Sequence, residues 1–528
     1  MSSDSIFSTS RFLGGAALAL AVLFAIVSLH FRFSTYINHD VAWYLYSAGR
    51  LLDGGRMYQD MFVDVNPPLA LYLTVPPVYL ARLTGMFSVD MYIVYLCVLM
   101  LASLTIMWHL LRPIQGLRSG QMWGLLFALF FALMVLPAAD FGQREHIMLI
   151  LALPYFVLVG LRASGGTCSG PVAIMVGVAA ALGLGLKPHF LIVPAALEIY
   201  LLVRTRTLRS IFRLETLSMA GTIALYLAVI VLFTPDYVTR VVPLALEVYN
   251  HAYQQAFGDI FFRAETIALP IVLLLYATRR RRLGTAALAD VFCLSACGFF
   301  AIYVFQGKGW TYQTYPIAAN LLLTVVASLL GPLAAQANSR GAVRRNGVLW
   351  LVPLIGAVVV VVVLLSLRIV YGTVYKSDIA DLMAPIVREH DDGSGLYIFA
   401  TTVSTGFPLV SYTGVRWCSR YSTLWPLPGL QNRLEADEPG LSPEVRTRLN
   451  ELERVIRGTM VKDFTDCAPA LVIVDTQDQP RYFKQPFDYI DFFNSDRHFA
   501  KVWADYELIE QVGYFQVYRR IAGRGLGS

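Results

Sequence analysis

Residues 37–73, INHDVAWYLYSAGRLLDGGRMYQDMFVDVNPPLALYL, hold Asp40, Asp53, Asp60 and Asp64 and close on Asn66 before Pro67-Pro68. A carboxylate such as Asp40, beside His39, can draw a proton from a hydroxyl as a general base. Asp is also a preferred N-cap, and a helix beginning near Val41 would use Asp40 that way. One residue can do both. Three further tips carry charge. DFGQREH supplies Asp140, Arg144, Glu145 and His146; KPH supplies Lys187 and His189; QGKGWTYQ supplies Lys308. Carboxylates with cations at one surface suit an anionic headgroup, and a cation there can neutralise a leaving phosphate. Each also has a plainer reading. Asp140 to His146 can cap helices and form an interfacial salt bridge. Lys187 and Lys308 can snorkel, with Trp310, Tyr312 and Tyr315 as interfacial aromatics. Asp236 and His251 are weaker candidates.

The elements that must position these groups are membrane spans. The chain has 528 residues, 56% hydrophobic and 15% charged, with mean hydropathy +0.57. That excludes an ordinary soluble protein. The basic residues sit in short clusters, so the net charge of +6 does not suggest nucleic-acid binding. Apolar runs of about 20 residues predict about eleven spans: 12–29, 91–111, 122–138, 147–161, 172–186, 190–203, 217–233, 266–277, 286–305, 317–330 and 348–371. The first is an uncleaved span rather than a signal peptide. Residues 75–83 are expected to dip into the interface, and 234–263 to form a polar loop.

A cytoplasmic N-terminus puts Arg112/Arg118, Arg162, Arg204/Arg206/Arg209/Arg213, Arg279 to Arg282 and Arg340/Arg344/Arg345 on the cytoplasmic side. All obey the positive-inside rule. The opposite face receives the 32–90 loop, the three charged tips and the C-terminal tail. Arg144, Lys187 and Lys308 then stand where the rule disfavours cations, on the face that carries Asp40, Asp64, Asp140 and Glu145. The spans themselves read as nearly free of charge.

The tail, 376–528, reads as a small α/β domain after a membrane module of 1–375. Strands are expected at 395–400, 470–475 and 514–518. Ser442 and Pro443 start a helix that Gly458 should stop, with Val445, Leu449, Leu452 and Ile456 on its apolar face. Of six cysteines, Cys97, Cys293 and Cys297 lie in apolar runs; Cys418 and Cys467 fall in the tail, where a pair is open.

The loop from His39 to Leu73, with DFGQREH and KPH, resembles the membrane half of bacterial GT-C glycosyltransferases of the protein-mannosyltransferase, aminoarabinose-transferase and lipopolysaccharide-galacturonosyltransferase kind. Val41 follows Asp40 where those enzymes usually have Glu, and Asn66 stands before Pro-Pro where Lys is common. The resemblance implies a polytopic α-helical protein of the bacterial inner membrane with a periplasmic α/β domain. It implies an inverting transferase that moves a sugar from a polyprenyl-phosphate donor to an envelope lipid, polysaccharide or protein. Asp40 would be the base; Arg144, Lys187, His189 and Lys308 would meet the donor phosphate. Asp140 and Glu145 form a second acidic element, and His39, Asp64 and Asn66 complete the candidates. No cofactor is predicted. A divalent cation held by Asp40 with Asp140 or Glu145 stays open. The rival readings are a flippase for a lipid-linked saccharide and a non-catalytic assembly subunit.

Overall fold

The structure is a computed structural model that describes residues 3–61, 65–114, 117, 119–280, 286–330, 375–435 and 441–521. Asp64, Arg118, Arg281, Arg282, Arg340, Arg344, Arg345 and the expected span 348–371 lie outside the described residues. The chain forms two compact units that interleave along the sequence: 1–35, 90–229 and 255–375 in one, 36–89, 230–254 and 376–528 in the other. The division is therefore not a single cut at residue 375. The first loop and residues 230–254 group with the tail.

The first unit is a helical bundle. Among the described residues of the whole chain, six helices are long and apolar enough to cross a membrane, from Gly14–Ser34 to Ala287–Gln306. Shorter apolar helices include Gly120–Met134, Gly170–Leu184 and Ala264–Thr278. Each span expected up to residue 330 coincides with a helix, with shifted ends. The third stops at Met134 rather than 138 and gives way to a turn. Helix Arg144–Ala163 is the centre of the unit and is buried along almost its whole length. Small residues let its neighbours approach: a Cβ on Gly183 would come 2.9 Å from the Met148 carbonyl, and one on Gly160 would strike Leu288. Close backbone approach of this kind drives helix association where lipid supplies no hydrophobic contrast.

The spans are less free of acid than the sequence suggested. Glu198 accepts from Tyr155 (2.6 Å) and Arg213 (2.7 Å), Glu215 from Arg162 and Arg213 (2.9 Å each), and Asp290 from Arg280 (2.8 Å) and Tyr200. Glu215 and Asp290 sit near helix starts and Glu198 in mid-helix, each against an arginine. Arginines that the sequence marks as topology signals are thus also structural partners.

The second unit contains a four-stranded sheet: β1 (Leu396–Phe399), β2 (Leu471–Asp475), β3 (Tyr506–Val512) and β4 (Phe515–Arg520), in the order β1-β2-β4-β3. β1 and β2 are parallel, with Leu396 opposite Leu471; β4 runs antiparallel to both its neighbours. β1 and β2 are buried at every residue, as strands covered on both faces must be. Phe399 packs among Phe464, Phe493, Phe499 and Trp503. Helix Pro443–Cys467 starts on Ser442 as expected but runs through Gly458 to Cys467. Gly458 is exposed and faces open space, so it costs little there. The extra turns bury Met460, Val461 and Phe464. Cys467, at the helix end, forms a disulfide with Cys418.

Residues 230–254 are helical, not a polar loop, and are wound partly as π-helix at Tyr237–Val241 and Ala245–Tyr249. Residues 75–83 lie within helix Leu69–Thr84. Glu247 joins the 230–254 segment to the tail: Arg433 reaches it at 2.7 Å and Arg448 at 3.0 Å. Burial pushes its carboxyl upward, and the two guanidiniums outweigh burial and hold it below the usual carboxylate range. A lowered folded value stabilises above the unfolded pKa and is lost as pH falls through the folded one. Glu247→Gln should therefore lower the thermal midpoint at neutral pH. The gap to the wild type should close once the pH drops below the folded value, as thermal melts across pH 7 to 3 would read.

Candidate active site

In the first unit the charged tips meet at one end of the bundle. Helix Arg144–Ala163 begins at a turn that is tied down on every side. Gly142 has φ +83°, a left-handed conformation that favours glycine. Its carbonyl accepts from Tyr92 Oη at 2.7 Å. Its N–H donates to His146 Nδ1 at 2.9 Å. With Nδ1 accepting, the proton sits on Nε2, which lies 2.8 Å from the Leu133 carbonyl. His146 is thus a neutral staple between the turn and the helix before it. Arg32 closes the other side: Nη1 donates to Ala138 O (3.0 Å), Nη2 to Met134 O (2.9 Å), and its guanidinium lies 3.7 Å over the Phe141 ring.

That turn aims Arg144 and Glu145 inward, both buried. Glu145 Oε1 accepts from Lys187 Nζ at 2.6 Å, with the two side chains 2% and 3% exposed. Lys187 sits in the break between helices Gly170–Leu184 and Ile192–Thr205, so it does not snorkel. The Tyr312 ring lies 5.1 Å from Lys187 Nζ and 6.0 Å from the Arg144 guanidinium, within cation–π range. Lys308 lies 5.2 Å from the Trp310 ring. The charges of Lys187, Lys308 and Arg144 all act on the His189 imidazole, whose Nε2 is buried with no hydrogen-bond partner among the described residues. Tips at 140–146, 187–189 and 308–312 thus form one cationic cluster. Asp140 is buried in the Ala138–Asp140 turn.

In the second unit, helix His39–Leu52 is capped by Asn38, whose side chain accepts from the Asp40 N–H at 3.0 Å. This corrects the expected cap: Asp40 stands in the first turn. Its carboxylate is 19% exposed and lies 3.6 Å from His39 Nε2. Behind it, Trp43 and Tyr46 pack on Phe407, and the Trp417 N–H donates to Tyr46 Oη at 3.2 Å. Asp53 accepts from Arg82 at 2.8 Å, and Asp60 from Arg56. The Arg82 hydrogen bond holds Asp53 below the usual carboxylate range, and the Arg56 bond does the same for Asp60. Asp236 pairs with Arg240 and Gln59. Asn66 is half-buried, and His251 is exposed.

Sequence reasoning missed three residues that hold these side chains in place. Asn38 caps as well as Asp does and was readable as the alternative. Arg32 stands in the last turn of helix Ser3–Ser34, just past the expected first span. Tyr312 carried no signal beyond being aromatic. Among the described residues no three of His, Cys, Asp and Glu gather as a metal would need; one oxygen of Glu145 is engaged by Lys187.

No protein-family model and no curated protein matches the sequence. Solved structures do match. ArnT from Cupriavidus metallidurans bound to undecaprenyl phosphate aligns over 96% of this chain and 98% of its own, at 14% identity and TM-score 0.54. Its apo state aligns over 96% and 99%, with the same identity and TM-score. The likeness is one of fold: this chain is built as ArnT is over nearly its whole length. Arabinofuranosyltransferase AftD from Mycobacteria aligns at TM-score 0.47 over 40% of its length, too slight a likeness to build on. With that fold, the six helices long and apolar enough to cross a membrane among the described residues fit a multi-pass membrane protein.

The turn before Arg144 gives a test of how the cluster is held. A Cβ on Gly142 would meet the Tyr92 ring at 2.7 Å, whereas one on Gly165, at φ +79°, meets nothing. Gly142→Ala should lose more stability than Gly165→Ala. The second measures backbone strain of about 1–2 kcal/mol, and the first adds the clash. Thermal unfolding of purified protein would rank them, and equal losses would show that the turn yields.

Proposed function

We propose that this protein is an inverting glycosyltransferase that takes a sugar from a polyprenyl-phosphate donor. The observation that carries this reading is the cationic cluster of Arg144, Lys187, Lys308 and His189 at one end of a GT-C bundle. Three buried or partly buried cations beside an imidazole answer a phosphate, and the similar ArnT was solved with undecaprenyl phosphate bound. The acceptor is an envelope lipid, polysaccharide or protein. The chain sits in a bacterial inner membrane with the N-terminus in the cytoplasm and the tail in the periplasm. The Cys418–Cys467 disulfide supports that placement, since such bonds persist in oxidising compartments.

The cluster binds the donor phosphate and stabilises the charge that grows on it. Asp40 accepts the acceptor's proton as its oxygen attacks the sugar C1. The new C1–O bond forms as the old C1–O bond to phosphate breaks, and the electron pair leaves with the phosphate. Attack from the opposite side inverts the anomeric centre. His39 and Asn66 line the same loop and orient the base and the acceptor.

Because Asn38 does the capping, Asp40 can be tested cleanly. Asp40→Asn should leave abundance and melting temperature unchanged and cost transfer about 10²–10⁴-fold. Asn38→Ala should do the reverse, losing about 1 kcal/mol of stability. Asp53→Asn and Asp60→Asn, whose parents sit in ion pairs, are the controls for chemistry. Transfer from a synthetic polyprenyl-phosphate sugar, at equal protein, is the assay. Near-wild-type turnover by Asp40→Asn would remove Asp40 as the base. For placement, Cys418 and Cys467 should resist a thiol reagent in spheroplasts until a reductant is added. Labelling before reduction would put the tail in the cytoplasm.

A further inference from the structure

The ammonium that the reaction needs is already engaged. Lys187 Nζ lies 2.6 Å from Glu145 Oε1, and neither side chain is more than 3% exposed. The other carboxylate oxygen, Oε2, is buried with no hydrogen-bond partner among the described residues. Glu145 therefore depends on Lys187 for its charge compensation. In the resting cluster the charge of Lys187 is met by Glu145. A polyprenyl-phosphate sugar is a phosphodiester with one negative charge; the polyprenyl phosphate that leaves carries close to two at neutral pH.

Resting on the reading that this cluster takes the donor phosphate, we propose that Glu145 is a positioning residue that holds Lys187 back from the donor and yields it to the leaving phosphate. As the bond from C1 to the phosphate oxygen breaks, its electron pair stays on that oxygen. The acceptor's oxygen bonds to C1 and its proton passes to the base. The phosphate thereby gains its second charge beside Lys187. A single diester charge competes poorly with the carboxylate for the ammonium, and the growing dianion competes well. The contact is stronger in the transition state than in the donor complex, which is the kind of contact that speeds a reaction. Glu145 also reclaims Lys187 afterwards, which loosens the product.

The test uses the full-length protein in nanodiscs, with undecaprenyl phosphate and neutral undecaprenol as probes. Glu145→Gln should bind undecaprenyl phosphate about tenfold more tightly, the worth of one charge-assisted hydrogen bond, with undecaprenol unchanged. Its turnover should fall with stronger product inhibition. Lys187→Met should weaken phosphate binding, and the double variant should match Lys187→Met. Unchanged or weaker phosphate affinity in Glu145→Gln, with Lys187→Met still weakened, overturns the role of Glu145 and leaves the phosphate reading standing. If Lys187→Met binds phosphate as the wild type does, the phosphate reading itself fails. Should Glu145→Gln not fold, Glu145→Asp decides: it draws the charge back by one methylene, so tighter phosphate binding supports the proposal and unchanged binding overturns it.

Discussion

A charge that leaves water must find a partner, and at this end of the bundle Lys187 pairs with Glu145. Breaking such a buried pair by removing one partner costs about 3–5 kcal/mol. The contact spans 42 residues of sequence. It needs the start of helix Arg144–Ala163 and the break at 185–191 in register, with Tyr312 beside them. The surrounding devices serve that register. Arg32 grips the two carbonyls before the turn, His146 staples the turn to the preceding helix, and Gly142 bends where no other residue would do so without strain. Remove the constraint of pairing and none of these would need its present geometry.

Much of this was legible in the sequence, for physical reasons that differ from piece to piece. The spans were legible because lipid demands long apolar runs, and the charged tips because cations there break the positive-inside pattern of the expected topology. The partnership of Glu145 and Lys187 was not legible, since nothing local links residues on different helices. The cap was misread because Asn38 and Asp40 are equally able to accept a backbone N–H. Gly458 was read as a stop, yet an exposed glycine with open space around it only weakens a helix, and Phe464 beyond it has a core to fill. β3 was overlooked because it is mostly exposed and charged, so its signal is its pairing with β4.

The acids inside the apolar runs show the same economy at the other end of the helices. Glu198, Glu215 and Asp290 would each be costly alone. Each is matched by an arginine from a basic cluster, so residues expected to orient the chain also hold it together. This leaves the charged tips around Glu145 and Lys187 as a separate system, in which arginine and lysine gather beside a buried imidazole nitrogen.

The interleaving of the two units has a consequence for how the protein is made. Trp43 and Tyr46 bury themselves against Phe407 and Trp417, which the ribosome delivers only after most of the chain has been translated. Until then the helix that carries Asp40 presents its aromatic face with no partner. A nascent chain must keep that face sheltered, by lipid or by a holding chaperone, through the insertion of every intervening span. A message that ends between residues 376 and 406 yields a product that keeps every described helix of the bundle and lacks the aromatic partners of helix His39–Leu52. Quality-control proteases that recognise exposed aromatic helices would see truncation at the far end of the chain as a defect near its beginning.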